Sequence, residues 1–194
     1  MMVLLISSLL STAVPHPSST PSLVGATLAE AQQTEFFTFF HFAETERALD
    51  STGRGWVQFR PGGEHRTQVR LWLLLTAAGT TEQATIDLAR GFIQPPQTQV
   101  FARDVAKSFL YGAVPAADQN AIGFLAETIW RDRDPSRFNA SVAGSNRDSR
   151  VVAGYRAFLG LTETYYEVLS AVWIRFKNQV VDETQILRIS VGKN

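Results

Sequence analysis

The 194-residue chain contains no cysteine, and this absence removes a whole class of chemistry. Without a thiol the protein can form no disulfide, use no thiolate nucleophile and hold no cysteine-ligated zinc. Histidine is scarce as well, with only His16, His41 and His65, so a histidine-based catalytic triad has few possible members. The glycine-rich phosphate loops and the G-x-S-x-G turn of serine hydrolases are also missing. The sequence therefore favours a protein that is not an enzyme and needs no cofactor.

The chain also has no net charge, since 18 basic side chains balance 18 acidic ones. Proteins that bind nucleic acid usually show a basic excess or a basic stripe, because each phosphate contact needs a cation. We therefore expect no nucleic-acid partner. Of the basic residues, 15 are arginine and 3 are lysine. This bias indicates either a GC-rich genome, which we favour, or a surface that recognises carboxylates or phosphates through forked donors.

The first 46 positions contain neither lysine nor arginine. Within them, residues 1–14 form an apolar run that is shorter than the ~20 residues of a membrane span but suits the core of a signal peptide. A signal peptide normally begins with a basic residue, and here the first is Arg47. We interpret residues 1–34 as a signal-like or flexible segment, which predicts a secreted or periplasmic protein and offers a route to peripheral membrane association. The alternative is a cytoplasmic protein with a disordered tail.

A dense group of aromatic residues follows. Phe36, Phe40 and Ala43 recur at helical spacing, which predicts a helix over residues 29–49. Five phenylalanines lie within residues 36–42. They indicate either a helix buried in the core, the alternative we favour, or a surface that binds lipid or an aromatic ligand.

The middle of the chain alternates in the manner of a sheet. Strands are predicted at residues 56–59, 67–76 and 83–92, forming an antiparallel meander that the double proline 95–96 closes. The apolar side chains at alternate positions should face the core, whereas Thr85 and Asp87 should face outward. Two helices are then expected at residues 101–111 and 116–130, followed by a long polar connection at 131–150.

The C-terminal part allows two interpretations. Residues 152–176 carry an almost complete helical stripe, yet residues 166–176 also alternate as a strand does. A helix is slightly favoured, and the alternative is a hairpin that turns at residues 160–164. Residues 185–191 alternate clearly and predict a closing strand.

One set of residues could hold a metal ion. His41 and Glu44 are three positions apart on the predicted first helix, so both could point to one side, and His65 could approach from the first hairpin loop. Imidazole and carboxylate ligands suit zinc or iron. The simpler interpretation is that His41 is an ordinary residue on the helix surface.

Together these patterns predict a single α+β domain at residues 35–194, with an antiparallel β-meander packed against several helices. The leading functional hypothesis is an exported or envelope-associated binding or structural module without catalysis. Its partner would be an unknown protein or a small apolar ligand. The alternative is a metal-dependent or hydrolytic enzyme that uses His41 and Glu44.

Overall fold

The computed structural model describes residues 21–119, residue 122 and residues 165–194. Its strands are β1 (Ala43–Leu49), β2 (Gly55–Arg60), β3 (Val69–Leu75), β4 (Thr81–Ala89), β5 (Tyr165–Val168), β6 (Val172–Val181) and β7 (Thr184–Lys193). They form one seven-stranded sheet in the order β1-β2-β3-β4-β7-β6-β5. All neighbouring strands are antiparallel. The predicted α+β fold with an antiparallel meander is confirmed.

The helical part consists of one long helix and several short ones. These are α1 (Leu28–Gln32), α2 (Glu35–Phe39), α3 (Arg90–Ile93), α4 (Pro96–Ala113) and a 3-10 turn at Ala116–Asp118. Pro96 occupies the first turn of α4, where its missing N–H costs nothing. The second proline thus starts a helix. None of the helices in the described ranges is long and apolar enough to cross a membrane.

One face of the sheet lies under α4 and forms the core. The predicted inward positions of β3, from Val69 to Leu75, are all buried, and so are Ala84, Ile86 and Leu88 of β4. The buried side of α4 contributes Phe109 and its apolar neighbours to the same cluster. The alternation of the sequence therefore identified this face correctly.

The opposite face differs from the expectation. Thr85 and Asp87 do lie on the other side of β4, but both are buried. The reason is that both side chains have polar partners on neighbouring strands: Asp87 accepts hydrogen bonds from Arg188, which is opposite it on β7, and from Trp72 of β3, and the Thr85 hydroxyl donates to Ser190 of β7. The prediction that these two residues face water was wrong.

The predicted helix at residues 29–49 was wrong in its second half. Helix α2 ends at Phe39, His41 adopts a left-handed φ of 51°, and residues 43–49 form β1 at the edge of the sheet. Good helix formers such as Ala43 and Glu44 lie in a strand here because pairing with β2 outweighs their local preference. The premise that His41 and Glu44 share a helix face fails with it.

Two other predicted elements also differ from the structure. The third predicted strand ends at Ala89 and not at residue 92, because residues 90–93 form α3. The slight preference for a helix over residues 152–176 was wrong for residues 165–176, which form β5 and the start of β6 with a turn at residues 169–171. These residues do form strands of a hairpin, but its turn lies at residues 169–171, whereas the hairpin alternative placed a turn at residues 160–164, which lie outside the described residues. The closing strand is confirmed as β7. Residues 152–164, the connection at 131–150 and most of the predicted helix at 116–130 lie outside the described residues.

Residues 21–34, which the sequence assigned to the N-terminal segment, pack against the domain. Leu23 and Ala31 are fully buried in the core. Thr27 caps α1, because its hydroxyl accepts from the Glu30 N–H while the Glu30 carboxylate accepts from the Thr27 N–H at 2.8 Å. Thr27 also bridges to Thr80 at the start of β4. Residues 1–20 lie outside the described ranges.

Candidate ligand-binding site

The turn from α2 into β1 presents one phenylalanine to solvent and buries the others. Helix α2 is five residues long, so Phe36 and Phe37 face the core while Phe39 points away from it, 73% exposed. The left-handed His41 then reverses the chain. This turn is held by a hydrogen bond from the Phe42 N–H to the Phe37 carbonyl, at 3.1 Å.

A second hydrogen bond fixes the turn to the connection between β2 and β3. The Gly62 N–H donates to the Phe40 carbonyl at 3.1 Å. The two segments approach so closely that a Cβ atom at Gly62 would lie 3.2 Å from the His41 Cβ. Glycine is therefore the residue that lets these segments meet without displacing His41.

The aromatic rings around the turn form a connected cluster. Phe36 and Phe42 have centroids 5.0 Å apart, and Phe39 and Phe40 have centroids 4.9 Å apart in an edge-to-face arrangement. Phe40 reaches Phe101 of α4 at 6.0 Å. These are the separations at which aromatic pairs attract beyond their buried area. The cluster gives the turn rigid walls.

Between the turn, the β2–β3 connection and α4 lies a small pocket of about 130 Å³. An apolar cavity of roughly 150 Å³ can hold one benzene-sized ring, so this pocket suits a single ring or a short branched alkyl group. Among the described residues that line it, His41 and His65 are the ionisable ones. The apolar lining includes Phe39, Phe40, Phe42, Pro61, Phe101 and Val105.

A larger cleft of about 750 Å³ adjoins this pocket, because Phe39 and Phe40 line both. Ligand sites commonly measure ~300–1,000 Å³, so the cleft has the size of a small-molecule site. Its other walls come mainly from α2 and α4, which contribute the charged side chains of Glu35 and Lys107 as well as the hydroxyl groups of Ser108 and Tyr111.

His65 is held by aromatic rings and by polar partners. Its ring lies 4.8 Å from the Phe92 ring and 5.3 Å from the Phe101 ring. Its Nδ1 is 2.9 Å from Gln68 Oε1, and its Nε2 is 3.5 Å from Glu64 Oε1. Because an amide oxygen only accepts, Nδ1 donates to Gln68 in this arrangement. The histidine is thus fixed in orientation at the wall of the pocket.

The three residues proposed as metal ligands are only partly brought together. His41 and His65 line the same small pocket, but Glu44 is not among its lining residues. Both carboxylate oxygens of Glu44 accept hydrogen bonds from Arg47, at 2.9 and 2.6 Å. Within the described ranges, no three histidine or acidic side chains are grouped so that they could hold a metal ion.

Sequence reasoning noted the phenylalanine-rich segment but missed how it builds a site. The density of phenylalanine was the signal, and the alternative of an aromatic-ligand surface was stated. The contributions of Pro61, Phe101 and Val105 could not be found, because they depend on tertiary contacts between distant segments. The left-handed conformation of His41, which ends the helix and exposes Phe39, has no clear sequence signal either.

Comparison of the chain with protein-family models, with curated proteins and with solved structures found no match.

Proposed function

We propose that this protein is a non-catalytic binding module that takes a small, largely apolar ligand at the Phe39 site, the name used here for the small pocket and the adjoining cleft. The observation that carries the proposal is Phe39 itself. It is 73% exposed and lines both concavities, whereas Phe36, Phe37 and Phe40 beside it are buried. A ligand that covered this ring would remove apolar surface from water.

The geometry indicates what kind of ligand would fit. The small pocket takes one ring or a short branched chain, and the remainder of the ligand would lie along the cleft. Polar contacts that could fix a ligand's orientation come from His41 and His65 in the pocket and, in the cleft, from the hydroxyl groups of α4 and the charged side chains of Glu35 and Lys107. The ligand is therefore expected to be largely apolar, with one ring or short branched chain in the small pocket and the remainder along the cleft.

The enzyme alternative has less support in the described residues. It needs the Glu44 carboxylate beside His41, and that carboxylate is engaged by Arg47 on the exposed edge strand.

Secretion or envelope association remains part of the proposal on the strength of the apolar N-terminal run. Cell fractionation tests it: the proposal requires the chain outside the cytosol, and recovery of the full-length chain from the cytosol would contradict it.

Binding of a neutral aromatic probe tests the ligand site. We expect N-phenyl-1-naphthylamine to bind the purified protein with increased fluorescence, and Phe39→Ala to raise its Kd by about tenfold, the equivalent of roughly 1.4 kcal/mol of lost apolar contact. Phe39 is exposed, so this change should leave the unfolding midpoint almost unaltered. The matched control is Val180→Ala, which removes an exposed apolar side chain from β6.

Equal affinities in the wild type, Phe39→Ala and Val180→Ala would overturn the proposal.

A further variant separates the two concavities. Ser108 lines the cleft but not the small pocket, so Ser108→Phe should weaken binding of the larger probe N-phenyl-1-naphthylamine while leaving binding of toluene, followed by NMR, unchanged. Loss of toluene binding in this variant would contradict the division of the site into two parts.

A further inference from the structure

Two arginines face each other on neighbouring strands at one end of the sheet. The register of β2 and β3 ends with the pair Phe59 and Leu71, and Arg60 and Arg70 are the next residues of the two strands, so continuation of the register places them opposite each other. Directly opposed like charges destabilise an antiparallel pair. These side chains lie on the face opposite to the buried Phe59 and Leu71, because successive residues of a strand alternate between faces. The two opposed arginines should therefore lower the stability of the sheet, and a role other than stabilisation is needed to explain them.

A third arginine joins them from the β2–β3 connection. Arg60 Nη1 donates to the Arg66 carbonyl at 3.1 Å, which brings this part of the connection back to the end of β2. Burial, and then the positive charges of Arg70 and Arg66, lower the pKa of Arg60 from its usual value. Arg70 and Arg66 are thus both close enough to Arg60 to act on its charge. We call Arg60, Arg66 and Arg70 the arginine cluster.

The nearest buried carboxylate does not neutralise this cluster. Asp87 is paired with Arg70 across β3 and β4, but its oxygens are taken. Arg188 Nε and Nη2 donate to them at 2.6 Å each, and Trp72 Nε1 donates at 3.1 Å. A carboxylate that already holds a bidentate guanidinium and an indole has little capacity for a further cation.

The counter-charge that the cluster does have is exposed. Asp182 Oδ2 lies 3.2 Å from Arg70 Nη1, and the Asp182 side chain is 76% exposed in the turn between β6 and β7. In the described ranges, neither Arg60 nor Arg66 has an acidic side chain within ion-pair distance. Among the described residues, Arg70 is thus the one member of the cluster with an ion-pair partner, and that partner is exposed to solvent.

We propose that the arginine cluster is a binding site for a phosphate-type oxyanion, whose place next to Arg70 the Asp182 carboxylate takes when no ligand is bound. Guanidinium groups donate in forks that match the oxygens of phosphate, and an incoming anion would relieve the repulsion between Arg60 and Arg70. None of the three arginines lines the Phe39 site, although Arg66 follows His65 in the β2–β3 connection, so this proposal does not rest on the apolar ligand. The anion is either free phosphate or the headgroup of an anionic lipid.

Titration with inorganic phosphate tests the site directly. We expect saturable binding by calorimetry at low ionic strength, and an approximately fivefold higher Kd for Arg66→Gln and for Arg60→Gln, as loss of one ionic contact implies. The matched control is Arg54→Gln, which removes an exposed arginine paired with Glu82 and should not change binding. Equal phosphate affinity in Arg66→Gln, Arg60→Gln and the wild type would overturn the proposal.

A variant that should strengthen phosphate binding makes the test specific. Asp182→Asn removes the internal competitor and should lower the Kd for phosphate by roughly threefold, the size of one exposed ion pair. Asparagine tolerates the left-handed φ of 48° at this position, so the turn should be preserved. If Asp182→Asn weakens binding, the competitor role of this carboxylate is refuted.

Vesicles distinguish the two sources of the anion. The full chain is mixed with vesicles of pure phosphatidylcholine or with vesicles that contain phosphatidylglycerol, and bound protein is measured by sedimentation. If the source is a lipid, the phosphatidylglycerol vesicles retain more protein and Arg66→Gln abolishes the difference. If the source is free phosphate, the two vesicle types retain equal amounts while the phosphate titration still depends on Arg66. Independence from Arg66 in both assays overturns the site.

Discussion

The two faces of the sheet differ in how completely they are buried and in the interactions that hold them, because along β3 fully buried residues of the face under α4 alternate with half-buried residues of the opposite face. Under α4, Phe59 and Ile86 are fully buried within a continuous apolar cluster. On the opposite face Thr85, Asp87 and Ser190 are only 5%, 2% and 0% exposed, and each has a hydrogen-bonding partner. The first face is held by non-directional apolar contact, and the second by directional polar contact.

This difference determines how each face should respond to change. Apolar packing loses free energy with the volume removed, whichever atoms are lost. The polar face depends on matched partners, because Asp87 and Arg188 are stable only together and the Thr85 hydroxyl needs Ser190. Burial alone therefore does not identify the stabilising interaction.

The largest effect is expected on the apolar face. Phe59→Ala should lower the free energy of unfolding by about 3–5 kcal/mol, because it removes a fully buried ring and leaves a cavity. Urea denaturation measures this loss. Leu49→Ala on the edge strand β1, where the side chain is exposed, is the matched control and should cost under about 0.5 kcal/mol. A similar small cost for both variants would show that the face under α4 is not the main core.

On the polar face, the loss of stability in a variant should depend on whether a charged side chain loses its partner and not on the volume removed. Asp87→Asn leaves Arg188 without its carboxylate and should cost about 2–3 kcal/mol, since Arg188 is only partly exposed to water that could replace it. The double variant Asp87→Asn with Arg188→Gln should recover part of that loss, because no unpaired charge remains. If the two single costs simply add in the double variant, the ion pair is not the unit that stabilises this face.

A smaller, pH-dependent effect is expected at Asp118, the other buried carboxylate of the described ranges. Burial raises the pKa of Asp118, but hydrogen bonds from the Ser170 hydroxyl and from the Ala171 and Ser170 N–H groups outweigh it and hold the pKa below the usual 3.8. A lowered native pKa means that the unfolded state takes up the proton first as the pH falls. The stabilisation is therefore complete above the unfolded pKa and is lost as the pH falls through the native value.

Asp118→Asn measures this contribution. At pH 7 the variant should be about 1–2 kcal/mol less stable than the wild type, and the difference should begin to shrink below about pH 5. Thermal unfolding at several pH values provides the comparison, with Asp104→Asn, an exposed residue of α4, as the control. A difference that stays constant down to pH 2 would show that the charge of Asp118 plays no part.

The sequence revealed the apolar face better than the polar one. Alternation of Val69, Leu71 and Leu73 is a direct consequence of strand geometry, so the inward side of β3 was predictable. The burial of Asp87 was not, because it depends on Arg188, which lies 101 positions away in the chain. In the sequence, a polar residue that is buried beside a partner alternates with apolar residues just as an exposed one does. The two cases can be distinguished only when the partner is known.

The candidate site was predictable to a similar extent. The density of phenylalanine at residues 36–42 suggested an aromatic surface, but the same pattern was interpreted as a longer helix. Residues 43–49 have good helical propensity, and only pairing with β2 makes them a strand. The break at His41 that exposes Phe39 therefore follows from tertiary structure. His41 and His65 were identified as candidate site residues, and they do share a pocket.

The most direct test of the account is the location of a bound apolar molecule on the two faces. Backbone amide shifts are followed by ¹H–¹⁵N NMR while N-phenyl-1-naphthylamine is added to the full chain. The account predicts the largest changes at Phe39, His41 and Gly62 around the small pocket, and none at Trp173 or Gly192 on the polar face. Shifts concentrated at Trp173 and Gly192, with Phe39 unaffected, would contradict it.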